Sequence, residues 1–254
     1  MIDLHCHILP GVDDGAESAA AACRMAERAL NSGVRTVVAT PHCNLRGERS
    51  NYRGPALERQ FAMLRALLRQ HGLPLRVLPG AEVFAHGDNI RSLLEEGRLM
   101  TLNRSRYLLV EFPFSAPGQE ITAILDAVAR RGCVPVVAHP ERYAAVQRDP
   151  RLAALWFRRG YVIQVNKGSL LGLLGRSSAA MARELLHRGL VHVIASDAHD
   201  PDHRTAGFRS LLPLLEQRCD PTYIELLLRG NPQRIIRNKV IPLPEAARED
   251  VLED

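Results

Sequence analysis

Four times along this chain an amphipathic helical stretch stops at a glycine, and a β-branched run follows that ends in a polar residue. Asn31-Ser32-Gly33 precedes residues 34–40, Arg130-Arg131-Gly132 precedes 134–138, Arg158-Arg159-Gly160 precedes 161–166, and His187-Arg188-Gly189 precedes 190–196. Glycine accepts the left-handed conformation that closes a helix, and cations in the last turn suit the helix dipole. These are βα units, and a chain built from them folds into parallel strands joined by right-handed crossovers. Three further runs, 2–7, 75–83 and 106–112, bring the strands to seven. Near-continuous apolar runs such as Val134-Pro135-Val136-Val137-Ala138 suit a parallel sheet covered on both faces. Seven sequential units can close a barrel. The other arrangement is an open, doubly wound sheet, but that fold gathers its ligand at one switch point, whereas here almost every strand end carries a reactive residue.

The strand ends read, in order, His5 and His7, Asp13-Asp14-Gly15, Pro41-His42, Gly80-Ala81-Glu82, Glu111-Phe112-Pro113, His139-Pro140-Glu141-Arg142, and Ser196-Asp197-Ala198-His199. Side chains alternate along a strand, so His5 and His7 share a face, about 7 Å apart at a rise of roughly 3.3 Å per residue. An H-x-H pair alone is as readily two half-exposed histidines as a metal site, and any single Glu82, Glu111 or His139 reads equally well as an ordinary strand-end or core residue. Jointly they do not. In a parallel barrel these ends converge on one face, and carboxylates gathered there beside imidazoles would repel or shift in pKa unless cations held them. Nitrogen and carboxylate donors without thiolates suit manganese, iron or zinc, and there are too many for one ion, so two or three divalent ions are expected. Cys43, directly after His42, is the one soft donor in reach; hard, oxygen-rich company argues against its use as a ligand.

The 254 residues are read as a single domain, 1–254, with residues 242–254 an acidic, weakly patterned tail expected to be loosely ordered. Hydrophobic content of 46% and charged content of 24% are ordinary for a globular protein. No apolar stretch is long enough to span a bilayer, and Asp3, His5 and His7 interrupt any signal-peptide core, so no membrane insertion and a cytoplasmic location are expected. Five scattered cysteines without a C-x-x-C pair argue against a disulfide framework. All but two of the 33 basic residues are arginine, the exceptions being Lys167 and Lys239. Guanidinium forks grip phosphate bidentately, which fits a phosphorylated partner, whereas no long basic run or basic-aromatic stripe points to nucleic acid.

Taken together, these residues resemble the polymerase and histidinol phosphatase superfamily, and within it the manganese-dependent bacterial protein-tyrosine phosphatases of capsule and exopolysaccharide operons. The opening from Met1 through Ile2-Asp3-Leu4-His5-Cys6-His7 to Val12-Asp13-Asp14-Gly15-Ala16 carries the likeness. Thr40-Pro41-His42, Glu82, Val110-Glu111-Phe112-Pro113, His139-Pro140-Glu141-Arg142-Tyr143, Ser196-Asp197-Ala198-His199 and Gly230-Asn231-Pro232 continue it over nearly the whole chain. The resemblance implies a distorted (βα)7 TIM-like barrel with its metal site at the C-terminal ends of the strands. It implies that His5, His7, Glu82 and Asp197 hold one ion, Glu82, Glu111 and His139 a second, and Asp14, His42 and His199 a third, with manganese the expected metal. Many relatives carry a second histidine where this chain has Cys43. The resemblance also matches Arg142 and Arg204 to substrate-contacting arginines.

The activity so implied is hydrolysis of phosphotyrosine by in-line attack of a metal-activated hydroxide. A cysteine nucleophile, which would need a thiolate followed by a phosphate-cradling loop ending in arginine, is not expected. Asp200, Asp202 and His203 read as plain loop, and His71, His86, His187, His192 and Cys133 as helix ends, surface or core. The implied substrate is an autophosphorylated bacterial tyrosine kinase with a tyrosine-rich tail. The rival readings are a histidinol-phosphate phosphatase, with the same chemistry on a small molecule, and a metal-loaded scaffold that binds a kinase without turnover. The oligomeric state is not legible.

Overall fold

The helix-glycine-strand phrase folds as its chemistry dictates. In the computed structural model, which describes residues 1–45, 50–86 and 89–242, the first helix, Ala19–Asn31, starts where the Ser18 hydroxyl accepts a hydrogen bond from the Ala21 amide at 3.2 Å. It buries an apolar stripe of Ala22, Met25, Ala26 and Ala29, and the chain turns out at Gly33, whose φ is +90°. Gly132, Gly160 and Gly189 close their helices with the same positive φ. Helices Pro55–Gln70, Gly118–Arg130, Arg151–Arg158 and Arg176–His187 repeat the pattern around the strands.

Among the described residues all paired strands are parallel, and they form two sheets instead of one. The first holds β1 (Ile2–Cys6), β2 (Thr36–Ala39) and β4 (Arg76–Pro79) in the order β1-β2-β4. The second holds β3 (His42–Cys43), β5 (Glu82–Phe84), β6 (Tyr107–Glu111), β7 (Val134–Ala138), β8 (Val162–Asn166) and β9 (Val193–Ala195) in that order. The expected seven extended runs are present, but 75–83 is broken and 34–40 is followed past Pro41 by a separate short strand, and among the described residues strand pairing closes no barrel. Residues 34–40 and 42–43 are separated at Pro41, which has no N–H to give to a ladder. Residues 76–79 and 82–84 are separated at Gly80-Ala81, where a Cβ on Gly80 would lie 2.6 Å from Val38 Cγ1. Past each break the chain changes partners, and His42 pairs with Glu82.

The first and last strands nonetheless meet. Cys6 and Ala198 form an isolated parallel bridge, with the Asp197 amide donating to the His5 carbonyl and the His7 amide to the Ala198 carbonyl, each at 2.8 Å. The Asp3 carboxylate, fully buried, accepts from the Ser196 amide at 3.0 Å and the Ser196 hydroxyl at 2.6 Å, tying the strands again. Inside, Leu4, Val38, Leu78, Leu109, Val136, Val162 and Val193 pack in one apolar cluster with a member from each of β1, β2, β4, β6, β7, β8 and β9. A larger cluster lies between the strands and the helices. Among the described residues no helix is long and apolar enough to cross a membrane.

Candidate metal centre

At the C-terminal ends of these strands all nine expected ligands gather. The pairing register slips between Asp3 and Cys6, a kind of irregularity that re-aims side chains, and the Nε2 atoms of His5 and His7 come within 3.2 Å of each other. Glu82 lies at the middle. Its Oε2 is 3.2 Å from His5 Nε2, from His7 Nε2 and from His42 Nδ1, and its Oε1 is 3.1 Å from His139 Nε2. Glu111 completes that side, 3.6 Å from both His42 Nδ1 and His139 Nε2. Asp197 Oδ1 faces His5 at 3.4 Å, His199 Nδ1 at 3.5 Å and His7 at 3.6 Å. Asp14 Oδ1 reaches His199 Nε2 at 3.4 Å and His42 Nε2 at 3.5 Å.

The floor of this centre is buried and its rim is exposed. His5, His7, Glu82 and His139 are at most 1% exposed, whereas the Asp14 side chain is 59% exposed. His139 and Asp197 both hold positive φ, 35° and 50°, a conformation that costs a non-glycine residue energy and is kept where surrounding structure enforces it. Arg142 and Arg204 stand over the opposite oxygen of Asp197, at 3.7 Å and 2.7 Å from Oδ2. The Arg142 guanidinium also lies 4.2 Å from the centroid of Phe114, a ring 41% exposed.

The protonation states show what such a cluster needs. Burial and the neighbouring charges of Glu82 and Asp197 push the Glu111 carboxyl up to about 9. Burial alone would lower His7, but the Asp13 and Glu82 carboxylates outweigh it and raise the imidazole well above its usual value. Burial likewise disfavours the Glu82 anion, yet His5 and His42 hold its pKa well below the ordinary range. Protons thus stand in for positive charge that buried carboxylates cannot do without. The donors fit divalent ions better than they fit one another: His42 Nδ1 is buried and 3.2 Å from Glu82 Oε2, yet is not aligned for any hydrogen bond. Among the described residues three groups have ligand atoms all within 4.8 Å of one another, namely His7, Asp14, His42 and His199; His5, His7 and Glu82; and His42, Glu82 and Glu111. His7 and His42 therefore each stand in two groups, where the resemblance places them in one apiece.

Three residues support this centre without having been singled out by sequence. Asp13 accepts from His7 Nδ1 at 2.7 Å and from the His42 amide at 2.9 Å. Gln164 and Asn166, two apart on β8 and fully buried, contact His5 and Asp197. One cysteine has the spacing that a cysteine nucleophile would need, since Cys43 and Arg49 stand at C-x5-R. Cys43 is nevertheless fully buried, and burial pushes its thiol up to about 12, which keeps it a neutral thiol and leaves no reactive thiolate in this arrangement. Arg49 and the rest of 46–49 lie outside the described residues, as does the tail from 243 onward.

The remaining histidines sit where the sequence suggests. His71 caps a helix, His187 ends one on the surface, His86 is half-buried beside Phe84, and His192 stacks on Phe157 in the core at 4.5 Å. Asp200 is a loop builder, accepting from the amides of Asp202, His203 and Arg204.

Comparison with known proteins agrees with this geometry. The family described as "Capsular polysaccharide synthesis, CpsB/CapC" matches residues 1–237. The tyrosine-protein phosphatase YwqE of Bacillus subtilis is 36% identical over 95% of this chain and 93% of its own length. The tyrosine-protein phosphatase CpsB of Streptococcus pneumoniae is 29% identical over 95% of this chain and 100% of its own. A crystal structure from work on these two enzymes, described there as unique metal-dependent tyrosine phosphatases, superposes with a TM-score of 0.87 at 33% identity, covering 96% of this chain and 97% of that one. An organophosphorus hydrolase variant from Deinococcus radiodurans shares the fold alone, with a TM-score of 0.62 at 16% identity over 92% of each chain. The resemblance read from the strand-end motifs is thereby confirmed: the chain belongs to the CpsB/CapC family of capsular polysaccharide synthesis.

Proposed function

We propose that this chain is a metal-dependent protein-tyrosine phosphatase whose substrate is a phosphotyrosine protein, in the bacterial setting a tyrosine kinase with a tyrosine-rich tail, and that it works in the cytoplasm. The observation that carries the reading is the meeting of nine imidazole and carboxylate donors with two arginines at one face. In this reading the barrel is a distorted (βα)7 barrel, with Pro41 and Gly80 as its points of distortion. His5, His7, Asp14, His42, Glu82, Glu111, His139, Asp197 and His199 hold two or three divalent ions, for which manganese is the proposed metal and iron or zinc the alternatives. Such ions supply Lewis acidity and an activated water at neutral pH.

The chain's own residues do the rest. The guanidiniums of Arg142 and Arg204 now pair with Asp197 Oδ2, and a phosphate arriving above the cluster offers them oxygens of the same geometry with more charge. Phe114, half-exposed on the far face of Arg142, offers an apolar side to a phenyl ring. The buried floor of His5, His7, Glu82 and His139 limits access of bulk solvent to the reacting phosphate. Relatives named as tyrosine phosphatases support this substrate over a small phosphomonoester. The test is turnover of a phosphotyrosine peptide against histidinol phosphate and a phosphoserine peptide by manganese-loaded protein. The reading expects the phosphotyrosine peptide to lead in kcat/KM; a lead by histidinol phosphate, or no turnover of any of the three, would overturn it.

A further inference from the structure

We propose that Gln164 and Asn166 are positioning residues for the metal centre, a one-way relay of amide hydrogen bonds on β8 that fixes His5 with its Nε2 bare toward the other ligands. The inference rests on the metal-centre part of the proposed function and not on its substrate.

The relay is deduced from its anchored end. Asp197 Oδ2 is held by the Arg204 guanidinium at 2.7 Å, so this carboxylate is an acceptor only. Asn166 lies 2.6 Å from the same oxygen and must therefore present its NH2 there. Its Oδ1 then faces away, toward Gln164 at 2.8 Å, and Gln164 in turn must donate its NH2 to it. That leaves Gln164 Oε1 facing His5 Nδ1 at 2.9 Å, and a carbonyl oxygen can only accept. His5 Nδ1 must carry the proton. A flip of either amide would set oxygen against oxygen, so the order propagates from Asp197 to His5 without a free choice.

The backbone holds the relay in place. Gln164 and Asn166 are two apart on one strand face and fully buried, and the Asn166 amide donates to the buried carboxylate of Glu141 at 3.0 Å. His7 reaches the same tautomer by another route, through the Asp13 carboxylate on its Nδ1. Two imidazoles whose Nε2 lone pairs face each other at 3.2 Å repel unless a cation lies between them. The difference between the two supports is charge. A carboxylate behind His7 strengthens it as a donor, whereas a neutral amide behind His5 orients it and adds little charge to an already acidic floor.

Two measurements test this on the full chain. In protein labelled with nitrogen-15 at histidine and loaded with Zn2+, the His5 ring is expected to show its proton on Nδ1. A proton on Nε2 would end the proposal without any variant being made. The second measurement is calorimetric titration of Mn2+ into metal-free Gln164→Met and Gln164→Glu, with thermal melting to monitor folding. Methionine fills the space without accepting a hydrogen bond, so it is expected to weaken the affinity involving His5 by about 10- to 100-fold. Glutamate keeps the acceptor and is expected to bind Mn2+ more tightly than methionine does. If the role were only to fill the core, methionine would bind like the wild type and glutamate worse, and that order would contradict the proposal. Affinity of the ion separates this outcome from failure of the phosphatase reading, which turnover alone decides.

Discussion

At the residue scale, the centre was legible where its chemistry is charged and hidden where it is neutral. His5, His7, Glu82 and His139 announce themselves because imidazoles and carboxylates at the ends of apolar runs demand a reason. Gln164 and Asn166 do not, since amides in a strand look like ordinary polar positions until their partners are seen. Asp13 was overshadowed by its neighbour Asp14; its contacts with His7 Nδ1 and the His42 amide set its supporting role apart from that of Asp14, which faces His42 and His199. Arg142→Ala is expected to lower kcat/KM for a phosphotyrosine peptide by about 10- to 100-fold, mostly through KM, by loss of a charge-assisted contact to phosphate worth ~1.5–3 kcal/mol; steady-state kinetics check this. His192 gives a pH prediction away from the metals. Burial lowers its pKa to about 4, below the roughly 6.5 of an unfolded histidine. The unfolded chain therefore binds the proton first, so stability is intact above about 6.5 and lost as pH falls toward about 4, by up to ~3 kcal/mol. Urea denaturation of metal-free His192→Gln should show a shallower loss than the wild type across that window.

At the scale of elements, the helix-glycine-strand phrase located four of the seven runs and apolar patterning the other three, because glycine stops and β-branched runs act locally. The breaks at Pro41 and Gly80-Ala81 were not legible, since they depend on what lies beside them: a ladder that Pro41 cannot join and Val38 pressed against Gly80. These breaks serve the centre by bringing His42 level with Glu82. Gly80→Ala is expected to destabilise by about 1–3 kcal/mol, because a methyl in a packed strand pair forces Val38 to move; the urea midpoint reads it. Gly15 is tighter still, with no room for a Cβ against the backbone of His7. Gly15→Ala should displace Asp13 and Asp14 together, and metal analysis after dialysis is expected to find fewer ions bound per chain than in the wild type. The loop that carries Arg204 is fastened from below by Lys167, a buried ammonium that donates to the carbonyls of Thr205 and Gly207. One of only two lysines in an arginine-rich chain has thus gone to a structural task.

At the scale of the molecule, the centre sits where the chain's first and last strands meet, so folding and metal binding share residues. Asp3, fully buried and bonded to Ser196, joins these strands directly below His5 and Asp197. Asp3→Ala leaves the Ser196 amide unpaired in the interior and is expected to cost about 3 kcal/mol or more, seen as a lower melting temperature even without metal. The overall parallel architecture followed from the sequence; the division into two sheets did not, because pairing between runs is set by neighbours far apart in the chain. The central claim is that the nine gathered donors are a metal centre that hydrolyses phosphotyrosine. Its most direct test is phosphate release from a phosphotyrosine peptide by the wild type and His139→Ala, each stripped of metal and then titrated with Mn2+ while bound metal is counted. Stripped wild type is expected to release no phosphate, release is expected to rise as two to three ions bind, and His139→Ala is expected to show both fewer ions and no release. Full activity in the stripped protein, or full metal content and activity in the variant, would contradict the claim.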